Sequence, residues 1–339
     1  MALIRQRLGS VRPQCVDAEL AAGRSEILQP VAPANYRVLT ALATNPDNYF
    51  VLSCGGGSAP ALAGNAALTA ILEELDLRRH VREIWGTSAG AIVGGGWATG
   101  TPAPRMLELL IDMNRSGIVD CSRWDLFGWP MLQTLLRRRL PEGFIPGRHF
   151  RDYTQRGLRV ATFADCEIPF RAIACRDDGS ARKVVFRDGP LINAIMASIC
   201  LPGIMRPVPD WSGGEFGYFD GGVLEKTPLA SIIEDHARQL RRQRLVVLCS
   251  HFNYCDKTSP PRGFMQRFLA SNNLMEGLVW DTQLERARQG AGKFLVVSPE
   301  IRHGAYFDFS RIEEYYLAAR RDFTHQLSNA GMAARFDAR

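Results

Sequence analysis

The sequence predicts an α/β fold, a three-layer sandwich in which helices flank a mainly parallel central sheet. Short, β-rich apolar runs alternate along the chain with segments whose apolar residues recur at helical spacing. Glycines end the first of these runs and border the turn after the second. The chain has 339 residues, of which 46% are hydrophobic, so it can bury a large core. Alternating strands and helices of this kind are typical of a parallel sheet covered on both faces.

The first four elements of the sheet region alternate strand and helix. NYFVLS at 48–53 is a short apolar run stopped by glycines, which predicts a buried strand. Apolar residues at helical spacing predict a helix over 59–77, and VREIW at 81–85 predicts a second strand. The small apolar residues of 88–97 suit a second helix. Upstream, a helical stretch is predicted around 36–43.

The later elements continue the pattern. The region 104–156 is mostly helical in pattern, and helices are also predicted over 191–199 and 312–326. Further strands are predicted at 158–163, 170–175, 183–186, 245–249 and 293–297.

No internal repeat or flexible linker divides the chain. We therefore expect one α/β domain over residues 48–330, preceded by an N-terminal extension at 1–47 and followed by a C-terminal tail at 331–339.

The charge balance mildly favours an anionic partner. Lys and Arg number 41 against 35 Asp and Glu, a net charge of +6, which would suit the surface of an anionic membrane. The basic residues are dispersed and carry no nucleic-acid-binding signature, which argues against nucleic acid.

Two basic segments have features of membrane contact. WDLFGWPMLQTLLRRRL at 124–140 combines aromatics and leucines with three arginines, as interfacial helices do, although a helix that covers the core is the favoured interpretation. RQLRRQR at 238–244 is interpreted first as a solvated helix end and second as a contact with anionic lipid.

Cysteine usage and the N-terminus favour a cytoplasmic protein. The eight cysteines are scattered without a C-x-x-C pair, which is typical of buried thiols in a reducing compartment and not of a disulfide framework or a zinc site. The N-terminus has no apolar stretch of signal-peptide length, and no run approaches the roughly 18 apolar residues of a membrane span. We expect contact with a membrane to be peripheral, and we expect no cofactor and no metal.

The segment WGTSAGA, Trp85 to Ala91, contains the pattern G-x-S-x-G. This pattern marks a serine nucleophile on a sharp turn between a strand and a helix. Gly86 and Gly90 would give the turn room, and the helix that follows would present free N–H groups to developing negative charge. Ser88 is therefore a candidate nucleophile, the alternative being a serine that only caps the helix.

A serine hydroxyl needs a base to remove its proton. His251 and His303 each lie just beyond an apolar strand, in the order expected of an α/β-hydrolase triad. The other candidate is Asp220 in YFDGGV, which ends an aromatic strand and is followed by Gly221 and Gly222. Two glycines after an aspartate allow another backbone to approach closely, although this sequence is also common in plain turns.

Gly55, Gly56 and Gly57 follow the first strand and precede a helix. Successive N–H groups in such a loop can bind an anion, either a phosphate or the oxyanion of acyl transfer. A dinucleotide-binding loop is disfavoured because Pro60 stands where its third glycine belongs.

The order of these motifs resembles the patatin-like phospholipase family. A glycine loop follows the first strand, G-x-S-x-G comes about thirty residues later, and ASICLPGIMRPV at 197–208 leads into YFDGGVLEKTPL. The closing FLVVSPEIRHGAYFDFS is also similar to that family, and the resemblance runs from about Tyr49 to the C-terminal helix.

The resemblance implies a lipid acyl hydrolase with a Ser–Asp dyad and no catalytic histidine. Ser88 matches the nucleophile, Asp220 the general base, and Gly55 to Gly57 the oxyanion hole. The substrate would be a lipid or another acyl ester, and a protein activator is left open. His251 and His303 would then be bystanders.

One departure concerns the residues after the glycines. The family's loop usually reads G-G-G-x-R-G, whereas Ala59 and Pro60 replace the arginine and the last glycine here. Two alternatives therefore stay open beside the dyad: a histidine-dependent esterase, and a catalytically weakened lipid-binding scaffold.

Overall fold

A seven-stranded mixed sheet forms the centre of the described part of the molecule. The computed structural model describes residues 18–115, 143, 145–180, 182–252, 263–289, 292–300 and 308–332. The strands are β1 (Asn48–Cys54), β2 (Glu83–Thr87), β3 (Phe170–Arg176), β4 (Lys183–Phe186), β5 (Tyr218–Asp220), β6 (Arg244–Ser250) and β7 (Lys293–Val297).

Helices connect and cover these strands. Over the described residues they are α1 (Ala18–Ile27), α2 (Arg37–Thr44), α3 (Ser58–Glu74), α4 (Ala89–Ala98), α5 (Ala103–Arg115), α6 (Arg148–Gly157), α7 (Leu191–Ile199), α8 (Gly222–Glu225), α9 (Leu229–Arg238), α10 (Gly263–Arg288) and α11 (Ile312–Leu327).

The sheet order is β4-β3-β2-β1-β6-β7, and β5 pairs with β3 off this path. Strands β3, β2, β1, β6 and β7 form parallel pairs in sequence across the sheet. Strands β4 and β5 are antiparallel to β3. The predicted α/β fold with a mainly parallel sheet is therefore confirmed, with an antiparallel margin on one side.

Side chains of β1 alternate between two packed faces of the sheet. Phe50 and Leu52 lie in a hydrophobic cluster with residues of α3, α4 and α11, whereas Tyr49 and Val51 lie in a second cluster with residues of α9 and α10. Every residue of β1 is buried, as expected of a central strand covered on both faces. Helical layers on both sides of the sheet complete the predicted three-layer arrangement.

The strand predicted at 158–163 is not formed. Its backbone pairs instead with two helix ends: the Arg159 N–H donates to Thr99 Oγ1 at 3.2 Å, and Ala161 O accepts from the Leu191 N–H at 2.9 Å. Phe163 is buried and stacks on Phe170 at 5.8 Å. The apolar alternation that suggested a strand arises from side chains packing on the core, with no neighbouring strand to form a ladder.

Residues ahead of β1 pack on the same core. Leu28, Tyr36 and Leu39 belong to the larger cluster. The fully buried side chain of Arg320 donates to Ile27 O at 2.8 Å and also pairs with Glu74. These contacts describe how the end of the predicted extension packs; the boundaries at residues 47 and 330 stay predictions.

One of the two basic segments, 238–244, lies within the described residues. Residues 124–140 lie outside the described residues. Residues 238–244 form the end of α9 and the turn into β6, and most of them are exposed, which matches the interpretation as a helix end. Arg241 lies over the ring of Tyr49 at 3.9 Å. Among the helices of the described ranges, none is long and apolar enough to cross a membrane.

Candidate active site

The ends of β2 and β5 meet beside β3. Strand β2 pairs with β3 as far as Thr87 opposite Ile173, and β5 ends where Asp220 lies opposite Ala174. Strand β4 occupies the other edge of β3 over these residues, so β2 and β5 share one edge. The two strands therefore approach each other end to end, which brings Ser88 next to Asp220.

Ser88 lies on the sharp turn that the motif predicted. Its backbone has φ 54° and ψ −123°, a combination that is strained for a residue with a side chain. Ser88 immediately precedes α4, yet its side chain makes no capping hydrogen bond. The hydroxyl instead donates to Asp220 Oδ2 at 2.7 Å. The alternative of a serine that only caps the helix therefore does not fit this turn.

The turn depends on glycines because other backbone segments pass very close to it. A Cβ atom on Gly90 would lie 2.0 Å from Cys54 O, and one on Gly86 would lie 2.7 Å from Gly90 O. On the other side of the site, a Cβ atom on Gly221 would lie 2.3 Å from Ile173 O. These three of the four predicted turn glycines thus leave no room for a Cβ atom; at the fourth, Gly222, a Cβ atom would lie 3.0 Å from Asp220 Oδ1.

Asp220 is buried, with 2% of its surface exposed. Its Oδ1 accepts from the Gly222 N–H at 2.7 Å, while Oδ2 accepts from Ser88. Burial raises the pKa of Asp220 to about 7, although the bonds from Ser88 and Gly222 act in the opposite direction. A general base with a pKa near neutrality suits proton transfer at physiological pH.

A buried ion pair lies beside the aspartate. Lys226 Nζ and Glu276 Oε2 are 2.7 Å apart. The charge of Glu276 raises the pKa of Asp220, whereas that of Lys226 lowers it. Both residues line a crevice that also includes Gly222, Leu224 and Trp280. The crevice therefore borders the residue whose N–H binds Asp220.

The glycine loop lies against the serine turn, but two of its amides are already bonded. The Gly55 N–H donates to Ser250 Oγ at 3.1 Å, and the Gly56 N–H donates to Lys226 O at 2.8 Å. Among the described residues, no group accepts from the Gly57 N–H. A Cβ atom on Gly56 would lie 3.0 Å from Ser88 Cβ, so the loop and the nucleophile are neighbours. Of the three predicted donors, Gly57 is the one left for a ligand.

The departure at residues 59 and 60 is accommodated by helix α3. Gly57 has φ 137° and precedes the helix, and Pro60 lies in its first turn. The first N–H groups of a helix have no partner within the helix, so a proline there removes no internal bond. Pro60 therefore leaves the geometry of the preceding glycines intact.

Sequence reasoning missed three buried polar side chains around the site. Asn65 Nδ2 donates to Gly55 O at 2.9 Å, and Asn65 Oδ1 accepts from Ser250 Oγ at 2.5 Å. Ser198 Oγ accepts from the Ser88 N–H at 2.8 Å. The available signals were an asparagine within the apolar helix α3 and a serine within the motif at 197–208.

His251, one of the two candidate histidines, is engaged elsewhere. Its ring stacks on Trp280 with centroids 4.1 Å apart, and its Nδ1 lies 2.9 Å from Thr227 Oγ1. Burial, followed by the charge of Lys226, lowers the pKa of His251 to about 3. Such a group is a poor acceptor for the Ser88 proton. His303 lies outside the described residues.

A protein-family model matches this chain, and several solved structures are similar to it. The family model described as Patatin-like phospholipase matches residues 50–233, more than half of the chain. The structure is similar to VipD from Legionella pneumophila, with 12% identity and a TM-score of 0.42, over 83% of this chain and 66% of that one.

Two further similar structures are of ExoU. For the type III effector protein ExoU, the identity is 15% and the TM-score 0.38, over 83% of this chain and 53% of that one. For full-length ExoU in complex with SpcU, from the type III secretion system of Pseudomonas aeruginosa, the values are 18% and 0.36, over 82% and 52%. This chain therefore spans between half and two-thirds of the length of these proteins.

Proposed function

Because the chain belongs to the patatin-like phospholipase family, we propose that it is a lipid acyl hydrolase that uses Ser88 as nucleophile and Asp220 as general base. The observation that supports this most strongly is the 2.7 Å hydrogen bond from the Ser88 hydroxyl to Asp220 Oδ2. Acyl transfer requires a nucleophile within hydrogen-bonding distance of its base, and a strained turn is the usual place for such a serine.

In the first half of the reaction, Ser88 Oγ attacks the ester carbonyl carbon while its proton passes to Asp220 Oδ2. The tetrahedral intermediate collapses when the bond to the alcohol oxygen breaks, and Asp220 returns the proton to the departing alcohol. In the second half, a water molecule attacks the acyl-enzyme and gives its proton to Asp220. Cleavage of the acyl bond then frees the carboxylic acid, and the proton returns to Ser88.

The negative charge on the carbonyl oxygen needs hydrogen-bond donors. The Gly57 N–H, at the start of α3, is the donor of the glycine loop that we assign to this role, since Gly55 and Gly56 donate within the protein. The N-terminus of α4, directly after Ser88, adds a favourable dipole.

The substrate class in this proposal is a carboxylic ester of a lipid. Family membership supports lipid substrates. Peripheral contact with an anionic membrane belongs to the same proposal and is supported by the net charge of +6. A cytoplasmic location also belongs to it and is supported by the scattered cysteines without a C-x-x-C pair.

The direct test is ester hydrolysis by the purified full chain. Wild type, Ser88→Ala and the surface control Ser180→Ala are compared on short-chain nitrophenyl esters and on vesicles with and without anionic phospholipid. We expect wild type and Ser180→Ala to release acid at the same rate and Ser88→Ala to fall to background. If wild type hydrolyses none of these esters even with added cell extract, or if Ser88→Ala retains its rate, the proposal is wrong.

A further inference from the structure

The segment that joins α7 to β5 contacts the main chain of both Ser88 and Asp220. Ser198, in the last turn of α7, accepts a hydrogen bond from the Ser88 N–H at 2.8 Å. Two residues later, Cys200 O accepts from the Asp220 N–H at 2.7 Å. One short stretch of chain therefore bonds to both residues of the dyad.

Ser198 also ties this stretch to the sheet. Its hydroxyl donates to Ile173 O at 2.6 Å, and its surface is 0% exposed. Ile173 is the residue of β3 opposite the end of β2, and the next residue, Ala174, lies opposite Asp220. The Ser198 hydroxyl thus links the backbone of Ser88 to β3, the strand that pairs with β5 and so positions Asp220.

The chemistry of this position requires a group that both accepts and donates. The Ser88 N–H has no partner within α4 because Ser88 precedes that helix. A buried N–H without an acceptor is unfavourable, and so is the strained conformation without support. A serine hydroxyl satisfies the N–H and a carbonyl together, whereas alanine satisfies neither.

We propose that Ser198 is a positioning residue for the dyad, whose hydroxyl fixes the separation between Ser88 Oγ and Asp220 Oδ2. The proposal assigns a physical role to the serine of the motif at 197–208. It rests on the proposed function, because the separation matters for catalysis only if Asp220 takes the Ser88 proton.

The test compares Ser198→Ala with a matched control. Thr99 is also buried, and its hydroxyl likewise accepts from a backbone N–H, that of Arg159, and donates to a carbonyl, that of Gly96. It follows the last residue of α4, about 16 Å along that helix from Ser88. Thr99→Val therefore removes an equivalent pair of bonds far from the dyad. Ser198→Cys is slightly larger and keeps a weaker donor and acceptor.

On a short-chain ester, we expect Ser198→Ala to lower kcat by about 10- to 100-fold at unchanged KM, the scale of a misplaced reacting group. Ser198→Cys should fall between wild type and Ser198→Ala. The acid limb of the pH–rate profile should move to higher pH, because the Ser88 bond that lowers the pKa of Asp220 is loosened. Thr99→Val should lower Tm about as much as Ser198→Ala does, while its kcat and the acid limb of its pH–rate profile should match those of wild type.

An unchanged kcat and an unchanged acid limb in Ser198→Ala would overturn the proposal, as would an equal loss of kcat in Thr99→Val.

A crystal structure of Ser198→Ala tests the geometry without turnover: we expect the distance from Ser88 Oγ to Asp220 Oδ2 to exceed about 3.5 Å. A separation still at 2.7 Å would contradict the positioning role. If Ser198→Ala does not fold, Ser198→Cys gives the same readouts. Wild type that hydrolyses no ester counts against the proposed function, whereas the crystallographic result decides the positioning role by itself.

Discussion

Ser88 Oγ donates to Asp220 Oδ2 at 2.7 Å across 132 residues of sequence. The contact arises because β2 and β5 pair with the same edge of β3, and the C-terminal ends of the two strands meet there. Since 8% of Ser88 and 2% of Asp220 is exposed, little water competes for this bond. The electrostatic surroundings of Asp220 therefore set the protonation state of the site, and that state can be measured.

The rate of ester hydrolysis should depend on ionisation of Asp220. Burial raises the pKa of Asp220 to about 7, so kcat/KM should increase as the pH rises through about 7, where the carboxylate form takes over. Glu276→Gln removes a charge that raises this pKa, so its acid limb should lie at lower pH. If the acid limb of the kcat/KM profile does not shift in Glu276→Gln, a group other than Asp220 controls that profile.

The same burial should make Asp220 unfavourable for stability at alkaline pH. The pKa of Asp220 is about 7 in the folded chain against an ordinary value of 3.8, so stability is lost progressively as the pH rises from 3.8 to about 7, and the loss is complete once the buried group ionises above that pH. Asp220→Asn should therefore be more stable than wild type at pH 8, by an amount on the order of a few kcal/mol. At pH 5 the difference in stability between Asp220→Asn and wild type should be smaller. Urea denaturation at both pH values measures the free energy of unfolding of each protein.

Asp76→Asn is the control for this experiment. Asp76 has 71% of its side chain exposed and a φ of 56°, which asparagine tolerates. Asp76→Asn should leave the pH dependence of the free energy of unfolding unchanged. A gain in Asp220→Asn that is the same at pH 5 and pH 8 would contradict the ionisation argument.

His251 should be dispensable for the reaction. His251→Phe keeps an aromatic ring to stack on Trp280 and removes the contact with Thr227, so we expect a lower Tm with kcat close to that of wild type. Asp220→Asn should lose about 10²- to 10⁴-fold in the same assay, the usual contribution of a general base. Equal losses in the two variants would favour the histidine-dependent esterase.

The serine turn should not tolerate a methyl group at Gly90. Gly90→Ala would place a Cβ atom 2.0 Å from the main-chain oxygen of Cys54, so we expect a loss of about 3 kcal/mol or more in the free energy of unfolding. Gly277 in α10 has no atom within 4 Å of the same position, and Gly277→Ala should gain about 0.5–1 kcal/mol from helix propensity. Chemical denaturation compares the two, and a neutral Gly90→Ala would contradict the close approach.

Local patterns predicted the central strands because each strand is buried on both faces. Residues 49–52 of strand β1 form an uninterrupted apolar run for this reason, and the glycines that follow the strand coincide with the loop at Gly55. The turn at Ser88 was predictable because Gly86 and Gly90 are needed at close approaches. The patterns failed at 158–163, where Leu158 and Phe163 pack on the core without a neighbouring strand.

The partners of the glycine loop could not be predicted from local patterns. Gly55 and Gly56 donate to Ser250 and Lys226, which are distant in sequence and meet the loop only through the order of the strands. The antiparallel direction of β5 is likewise a tertiary result, since three residues carry no signal of direction. Motifs thus singled out Ser88 and Asp220 as candidates, whereas the hydrogen bonds that support them required the folded chain.

The most direct test of the dyad is covalent labelling by a fluorophosphonate, which reacts with an activated serine without a turnover assay. We predict that peptide mass spectrometry finds the label on Ser88, that the labelling rate increases as the pH rises through about 7, and that Asp220→Asn labels far more slowly. No label on Ser88, or the same labelling rate in Asp220→Asn as in wild type, would contradict the proposed Ser88–Asp220 dyad.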